Sequence, residues 1–454
     1  MSTNFRATER HQLFLLPPSI QDWLPEDHLA RFVVDIVEQL DLKNITEKYN
    51  NKGILAYSPR MLVALLFYGY ATGVFSSRQL ERGSYDSVAL RFVAANTHPD
   101  HDTIANFRRR FHSEIADLFR QVLLFAHTAG LLKLGTVSLD GSKVKANASK
   151  HKALSYQHAC KLEEQIRRQI EELLSLAESA DKADVPDGLS LPEELSRREK
   201  RLQVIREAKA EIERRAEERH RIEQQEYEQK LAQREKTEKE TGRKPRGKGP
   251  QPPVSGPGPK DQVNLTDPES RIMPRGKEFK QAYNAQLGVD TESLLIIGHR
   301  VTQHCNDKEE VVPMLENLTE FPVELGKVER LLCDAGYFSE KNVKACFELE
   351  VEPFIACVRE AHNQSVLARF SEPQVVCPNV TSDPVGNMRH RLQTKAGKAL
   401  YALRKSTVEP VFGIIKSILG FQQFSFRGEK LAASEWGIAC TAWNIKRLHR
   451  LIYV

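Results

Sequence analysis

The β-strand signal in this chain is divided between two segments that lie far apart in the sequence. Residues 136–139 (TVSL) form a short β-rich run that ends at Asp140, and strand patterns return only from Ala282 onward. Between them, residues 151–262 are highly charged, and their apolar positions show helical spacing. A sheet that uses both segments therefore contains a large insertion between its first two strands.

Strand and helix patterns alternate after this insertion. The predicted strands cover 282–289, 294–301, 328–333 and 351–357, with a turn at 290–293. The predicted helices start at Asp307 and Ser339 and cover 395–419 and 429–451. With the run at 136–139, the order is three strands, a helix, a strand, a helix, a strand and a helix. That is the element order of a ribonuclease-H-like α/β fold, in which helices flank a mixed sheet.

Residues 1–133 are predicted to be all-helical. Helix starts are indicated at Ser58-Pro59, at Ser76 with Gln79 in the manner of a capping box, and at Asp102. The group His98, Asp100, His101 and Asp102 permits two interpretations, a metal site or the capping of a helix end. Capping beside Pro99 is favoured.

The helix that follows Asp102 carries three consecutive arginines, Arg108, Arg109 and Arg110. Short helices that end in an arginine-rich one suit a small DNA-binding unit of the helix-turn-helix type. A plain helical bundle with solvated arginines explains the same pattern, and the sequence leaves both interpretations open.

The inserted residues 151–262 predict an antiparallel helical hairpin or short coiled coil. Apolar residues from Leu162 to Ala177 and from Leu195 to Ala216 keep helical or heptad spacing, and residues 181–192 interrupt the pattern. The Gly/Pro-rich stretch 242–259 predicts a flexible linker. The hairpin is either an interaction or dimerisation element or a spacer without chemistry.

Charge and composition exclude some classes of protein. The net charge is +5, yet residues 389–454 hold twelve basic and three acidic residues and carry +9, which suggests a polyanionic partner. Mean hydropathy is −0.47, and the most apolar window, 62–74, falls well short of the roughly 20 residues of a membrane span. The seven cysteines are scattered, and the N-terminus shows no secretory signal, so a reducing cytoplasm is expected.

Two aspartates are predicted where strands end, and a glycine-containing turn follows each. They are Asp140 in SLDGSK and Asp334 in LLCDAGYFS. A third acid, Glu409, lies in a helical segment with Lys416 two turns later. Carboxylates that converge repel one another without a cation, and oxygen ligands select Mg²⁺ or Mn²⁺. Two such ions stabilise the attacking and leaving oxygens of phosphoryl transfer.

Over nearly its whole length the sequence resembles insertion-sequence transposases of the DDE superfamily, most closely the IS-eleven-eighty-two group. The N-terminal resemblance rests on LPEDHLARFVVDIVEQLD, YSPRMLVALLFYGYATGVFSSRQLER and HPDHDTIANFRRRF. The catalytic resemblance rests on VSLDGSKVKANAS, KQAYNAQLGVD, LLCDAGYFSE and TVEPVFGIIKSILGFQQFSFRG. SEWGIACTAWNIKRL resembles the terminal helix of the family.

The resemblance implies four parts and a catalytic triad. The parts are a helical DNA-binding domain at 1–133, a catalytic domain at 134–150 and 263–428, the inserted hairpin and linker at 151–262, and a C-terminal helix at 429–454 that packs on the catalytic domain. Asp140, Asp334 and Glu409 would bind Mg²⁺, for which Mn²⁺ can substitute, as two ions. The chain would cut double-stranded DNA at terminal inverted repeats and join it to target DNA, as a homodimer or larger assembly. It would act in the bacterial cytoplasm, on the nucleoid when bound to DNA, without a membrane.

The family signature around the glutamate is matched with one departure. Tyr401 and Arg404 keep the first spacing, and Glu409 and Lys416 keep the last, but four residues instead of three separate Arg404 from Glu409. Either the helix is irregular there, or Lys405 takes the role of the arginine. Lys416, Arg404, Lys405 and Tyr401 are expected at the DNA. Tyr401 as a nucleophile is disfavoured, since the triad already provides the chemistry.

Three questions stay open at this stage. The aromatic and basic run 421–427 suits either DNA contact or the core. The chain could be an inactive or domesticated DNA-binding descendant, or another ribonuclease-H-like nuclease. It could also be an interaction protein built around residues 154–241.

Overall fold

The structure, a computed structural model, describes residues 19–49, 56–180, 190–243, 247–275, 278–319, 321–357 and 377–453. The chain divides into two compact units, residues 1–144 with 284–454 and residues 145–283. The division between the four parts implied by the family resemblance, at 133, 150, 262 and 428, stays a prediction. The predicted interruption at 181–192 falls largely outside the described residues.

The five predicted strands are present with somewhat different ends, and the described residues also form three short strands that were not predicted, at 153–155, 262–264 and 271–275. In chain order they are β1 (Thr136–Lys145), β2 (Ala153–Ser155), β3 (Gln262–Asn264), β4 (Arg271–Arg275), β5 (Glu278–Asp290), β6 (Ile296–Thr302), β7 (Arg330–Cys333) and β8 (Glu352–Ile355).

The sheet of the first unit runs in the order β6-β5-β1-β7-β8. β1, β7 and β8 are parallel, and β5 and β6 are antiparallel. β5 runs opposite to β1, because Thr291 N donates to Thr136 O at 3.1 Å while Ala146 N donates to Gln281 O at 3.0 Å. The strands β1, β7 and β8 therefore direct their carboxyl ends to one edge of the sheet.

The helices before the sheet are α1 (Leu29–Gln39), α2 (Lys43–Thr46), α3 (Pro59–Thr72), α4 (Ser77–Asp86), α5 (Val88–Val93), α6 (His101–Arg110) and α7 (His112–Thr128). Those of the insertion are α8 (Tyr156–Ala180) and α9 (Leu191–Thr241). Those among and after the later strands are α10 (Val311–Thr319), α11 (Glu340–Glu348), α12 (Pro384–Gln393), α13 (Lys395–Ser406), α14 (Val408–Gly413) and α15 (Glu429–Tyr453).

Helices pack on the sheet of the first unit, α10 and α15 against β6, and α11 and α12 against β8. The predicted mixed sheet flanked by helices, with a helical N-terminal region, is therefore confirmed. None of the helices in the described ranges has the length and apolar content needed to cross a bilayer.

The last helix, α15, joins the N-terminal helices to the sheet. It contacts α3 and α7 as well as β6. Trp436 Nε1 donates to Gln286 O at 3.2 Å, and the Asn444 amide bonds both Ile296 N and Ile296 O, at 2.8 and 2.7 Å. These bonds satisfy polar groups inside an apolar interface, where leaving one unpaired costs about 1–3 kcal/mol.

The second unit contains a pair of helices, α8 and α9, that run antiparallel. Tyr156 Oη donates to Glu213 Oε1 at 2.8 Å near the start of α8, whereas Arg206 lies 3.4 Å from Glu163 further along α8. Later residues of α8 therefore contact earlier residues of α9, as expected for antiparallel helices. An apolar core between the helices consists of Leu154, Ala159, Ile166, Leu202, Ile205, Ala208, Ile212 and Val263.

Two helix starts differ from the sequence prediction. Helix α6 is capped by Asp100, whose Oδ1 accepts from Thr103 N at 2.8 Å, and not by Asp102. The capping interpretation of this cluster is therefore correct. The helix expected to start at Asp307 starts at Val311 instead. Asp307 thus lies in the turn before this helix, and its carboxylate bonds side chains of β1 and β5.

His299 on β6 gives the fold an acid-sensitive position. Its ring meets Phe119 of α7 edge-on, with centroids 4.6 Å apart, and a Cβ built at Gly437 of α15 would lie 3.1 Å from its Cε1. Burial lowers the pKa of His299 to about 4. The unfolded chain, with an ordinary histidine pKa near 6.5, therefore takes up a proton at a pH where the folded chain does not.

We expect the free energy of unfolding to fall as pH drops from about 6.5 to about 4, with His299 contributing no more than about 3 kcal/mol. Its contribution is fully present above pH 6.5. His299→Phe keeps an aromatic ring without the titrating group. Urea unfolding of both proteins between pH 4 and 8 tests this, and parallel pH profiles would contradict it.

Candidate active site

Asp140 and Asp334 occupy equivalent places on neighbouring parallel strands. The paired segment of β1 and β7 ends with Leu139 opposite Cys333, and the next residue on each strand is the aspartate. Each carboxylate accepts a nearby backbone N–H at 2.8 Å, Asp140 Oδ1 from Gly141 and Asp334 Oδ1 from Gly336. The structure therefore brings the two acids to the same edge of the sheet.

The prediction that Asp140 ends its strand was wrong. β1 continues to Lys145, because β5 still pairs with it after its pairing with β7 has ended. Side chains alternate along a strand, so Ser142 projects from the same face of β1 as Asp140. This places Ser142 beside the acidic edge.

A break between two helices positions Arg404 and Glu409. Helix α13 ends at Ser406, Thr407 leaves helical geometry with φ −114° and ψ −86°, and α14 begins at Val408. Arg404 Nη2 lies 2.8 Å from Glu409 Oε1, and Arg404 Nη1 lies 3.9 Å from Asp140 Oδ2. The additional residue in the signature is therefore accommodated by this break.

Lys405 is exposed, whereas Arg404 is largely buried between Asp140 and Glu409. Of the two candidates for the arginine position, the structure thus places Arg404 at the acids. Tyr401 lies beside Arg404, and burial raises the pKa of Tyr401 to about 12, with Arg404 acting in the opposite direction.

Lys416 reaches the acidic edge from the segment that follows α14. Residues Ile414–Ile418 form a π-helical turn, and Lys416 Nζ donates to Ser142 Oγ at 2.6 Å. Such a turn widens the helix by one residue and shifts the side chains that follow it. The half-buried ammonium group of Lys416 therefore lies next to Ser142, which is two residues after Asp140 on β1.

Asp307 also lies at this edge, although sequence reasoning placed it at a helix start. Its Oδ1 accepts from Lys143 Nζ at 3.2 Å, from Asn284 Nδ2 at 2.6 Å and from Gln286 Nε2 at 2.8 Å. The available sequence signal was Asn284 and Gln286, two polar residues at alternate positions of a strand that is otherwise apolar and buried. Polar side chains on one face of such a strand require partners.

Electrostatics at the edge reflect crowded negative charge. The pKa of Asp140 is raised to about 7, chiefly by burial and also by the carboxylates of Asp334 and Asp307, while the Gly141 N–H and Arg404 act against the shift. Two glycines keep the edge open. A Cβ at Gly141 would lie 2.7 Å from Asp307 Oδ1, and one at Gly336 would lie 2.9 Å from Asp334 Oδ1.

The donor chemistry fits a hard divalent cation, because Asp140 and Asp334 offer oxygens around a cradle that side chains at Gly141 and Gly336 would fill. Asn284 Oδ1, which is buried, has no hydrogen-bond partner. In the part of the chain that the structure describes, no three His, Cys, Asp or Glu side chains are grouped closely enough to share one metal ion. Glu409 is held by Arg404 rather than at the two aspartates.

The three arginines of α6 differ in their surroundings, and the predicted DNA contact of Arg108 is corrected. Arg108 is 4% exposed, donates to Tyr70 Oη at 2.7 Å and stacks on the Phe426 ring at 4.3 Å. A buried, bonded guanidinium does not reach DNA in this conformation. Arg109 and Arg110 are exposed at the end of α6.

The aromatic residues of the run 421–427 belong to the core. Phe421, Phe424 and Phe426 are all buried, and Phe421 packs against Trp436 with ring centroids 5.6 Å apart. Of the two interpretations of this run, the structure supports core packing for its aromatic side chains. Arg427 is exposed.

Comparison with known families gives two matches. Residues 18–110 match the family described as Transposase domain (DUF772), and residues 252–445 match the family described as Transposase DDE domain. The second range contains Asp334, Glu409 and Lys416, whereas Asp140 lies outside both. No curated protein and no solved structure matches the chain. Both families consist of transposase domains, and a DDE domain implies a ribonuclease-H-like fold.

Proposed function

We propose that this chain, with a transposase domain at 18–110 and a transposase DDE domain at 252–445, is the transposase of an insertion sequence. We also propose that it belongs to the IS-eleven-eighty-two group of these transposases. It cleaves double-stranded DNA at the terminal inverted repeats of its element and joins the ends to target DNA. The single observation that carries the chemistry is the side-by-side position of Asp140 and Asp334 where β1 and β7 part.

The reaction has two steps. Water attacks a phosphodiester at the element end, which leaves a 3′-hydroxyl on the element and a 5′-phosphate on the flank. The 3′-hydroxyl then attacks a target phosphodiester and releases a target 3′-hydroxyl. Neither step requires a covalent protein–DNA intermediate, so neither requires a tyrosine nucleophile.

Asp140 and Asp334 would hold Mg²⁺ or Mn²⁺, as two ions, with Glu409 as the third acid of the triad. The bound cations would stabilise charge on the attacking and leaving oxygens. Arg404 orients Glu409 and Asp140 through its two nitrogens. Lys416, held beside β1 by Ser142, is placed to bind a phosphate near the reacting one.

The test uses the full chain and labelled duplexes that carry the sequences flanking its gene, with Mg²⁺, with Mn²⁺ or with EDTA. We expect cleavage at the element ends and joined products, both dependent on the metal and absent from duplexes with scrambled ends. Binding without cleavage would overturn the proposal in favour of an inactive DNA-binding descendant. Cleavage without end preference or joining would favour a different nuclease.

Arg109 is proposed as a phosphate contact, because it is exposed on α6, where its nearest polar partner is Asn106 Oδ1 at 3.3 Å. Arg109→Ala is expected to weaken duplex binding about equally for all sequences. It should also reduce the slope of log affinity against log salt by about 1. Fluorescence anisotropy titrations between 50 and 200 mM salt, roughly the range over which such contacts act, measure both quantities.

Arg168→Ala on α8 is the matched control, since it removes one exposed arginine that pairs with Glu164 within the hairpin. An unchanged salt slope for Arg109→Ala, or an equal change for Arg168→Ala, would remove Arg109 from the DNA interface.

A further inference from the structure

Asp307 has one saturated carboxylate oxygen. Lys143, Asn284 and Gln286 all donate to Oδ1, and they come from two adjacent strands, β1 and β5. Gln286 is fixed in turn by Tyr337, whose hydroxyl donates to Gln286 Oε1. Three donors on one oxygen fix the rotamer of the carboxylate.

The second oxygen, Oδ2, faces the turn that carries Asp334. A Cβ built at Gly336 would meet Asp334 Oδ1 at 2.9 Å and Asp307 Oδ2 at 3.8 Å. Both carboxylates therefore border the same small space. Glycine keeps this space free of a side chain.

Asn284 adds an independent observation. Its side chain is fully buried, and while Nδ2 donates to Asp307, Oδ1 has no hydrogen-bond partner. A buried carbonyl without a partner costs about 1–3 kcal/mol, so such groups are rare in folded proteins. An amide oxygen beside a carboxylate is a donor that hard divalent cations accept.

We propose that Asp307, through Oδ2, and Asp334 together bind one divalent cation in this space, with the buried Asn284 Oδ1 as a neutral oxygen nearby. The inference rests on the proposed function in that it concerns the same acidic edge. It explains why the side chains that bond Asp307 in the described part of the chain all use one carboxylate oxygen. Lys143 balances the charge of the carboxylate on the Oδ1 side and leaves Oδ2 for the cation.

Asp307→Asn tests this role sharply, because asparagine keeps Oδ1 for the three donors and replaces only Oδ2 by an amide nitrogen. Mn²⁺ binding by the full chain without DNA, measured by calorimetry, should weaken about 10-fold or more. Glu309→Gln is the matched control. Glu309 lies two residues after Asp307, and its side chain is 66% exposed, so the substitution removes one negative charge from an exposed position. It should bind Mn²⁺ like the wild type.

Asn284→Asp provides a second, opposite test. It places another carboxylate against Asp307, so the melting temperature without metal should fall and the increase on adding Mn²⁺ should exceed that of the wild type. Thermal unfolding without metal also shows whether each variant is folded. Wild-type Mn²⁺ affinity in folded Asp307→Asn, or no Mn²⁺ binding by the wild type, would overturn the inference.

Cleavage of end-containing DNA by the wild type, run in parallel, separates this inference from the proposed function. If the wild type cleaves DNA while Asp307→Asn keeps its Mn²⁺ affinity, Asp307 is not a ligand and the function stands. If Mn²⁺ binding depends on Asp307 but no DNA is cleaved, the ligand assignment stands and the function is wrong.

Discussion

Asp140→Asn and Asp334→Asn are each expected to lower the rate of DNA cleavage by about 10²–10³-fold or more while duplex binding is retained. Both substitutions keep the size of the side chain and remove an anionic oxygen where β1 and β7 part. Cleavage depends on charge stabilisation in the transition state, whereas a carboxylate at this edge repels DNA phosphates. The loss should therefore appear in the rate and not in the affinity.

Single-turnover cleavage and anisotropy binding, measured on the same labelled duplex, separate rate from affinity. Asp86→Asn is the control, because Asp86 is an exposed acid that pairs with Arg82 on α4. Glu409→Gln is also expected to lose cleavage. Near wild-type cleavage in Asp140→Asn or Asp334→Asn would refute the catalytic assignment of that aspartate. Cleavage that survives only in Glu409→Gln would support both aspartates as catalytic residues and exclude Glu409.

Glu435→Gln is expected to destabilise the protein by about 3–5 kcal/mol, because it leaves the buried charge of Arg108 without its counterion. The Glu435 side chain is 1% exposed and lies 3.8 Å from Arg108 Nη1. It also accepts from Tyr70 Oη at 3.1 Å and from the backbone N–H of Ser425 and of Phe426, at 2.8 and 3.1 Å. This network joins α3, α6 and α15 to the segment before α15.

Urea unfolding measures the effect, and a double variant provides the internal comparison. Arg108→Met with Glu435→Leu removes both charges and should recover part of the loss, since the cost arises from an unpaired buried charge. Arg82→Met breaks an exposed pair and should change the unfolding free energy by less than about 1 kcal/mol. A loss below about 1 kcal/mol in Glu435→Gln would contradict the account.

Local sequence patterns predicted most of the helices and the longer strands, and located the two aspartates next to the paired segments of β1 and β7, because these signals depend on neighbouring residues. Strand patterns located β1 and β7, and the residue after each paired segment is the acid. Ser339 caps α11 as predicted, since its side chain accepts from Asn342 N at 3.0 Å. A capping residue bonds a backbone N–H only two or three residues later, so a short stretch of sequence is enough to predict it.

Long-range packing decided what the sequence could not show. Arg108 looked like part of an exposed arginine cluster, and only Phe426 and Glu435, more than 300 positions later, reveal that it is buried. Asp307 had the sequence context of a helix start, and only its hydrogen bonds with Asn284 and Gln286 of β5, more than 20 positions earlier, reveal that it lies beside the two aspartates. These placements depend on tertiary contacts, which a pattern of neighbours does not encode.

The contacts of α15 with α3 and α7 have a consequence for the order of events during synthesis. Helix α7 ends at Thr128, and α15 begins at Glu429, so roughly 300 residues, or about 15–60 s of translation, separate them. During that interval the nascent chain presents apolar helix faces whose partner has not yet been made. Chaperones are expected to hold the growing chain on the ribosome, and polypeptides released before α15 should aggregate instead of competing for DNA. We therefore expect the N-terminal helices to reach their final packing only after α15 has been made.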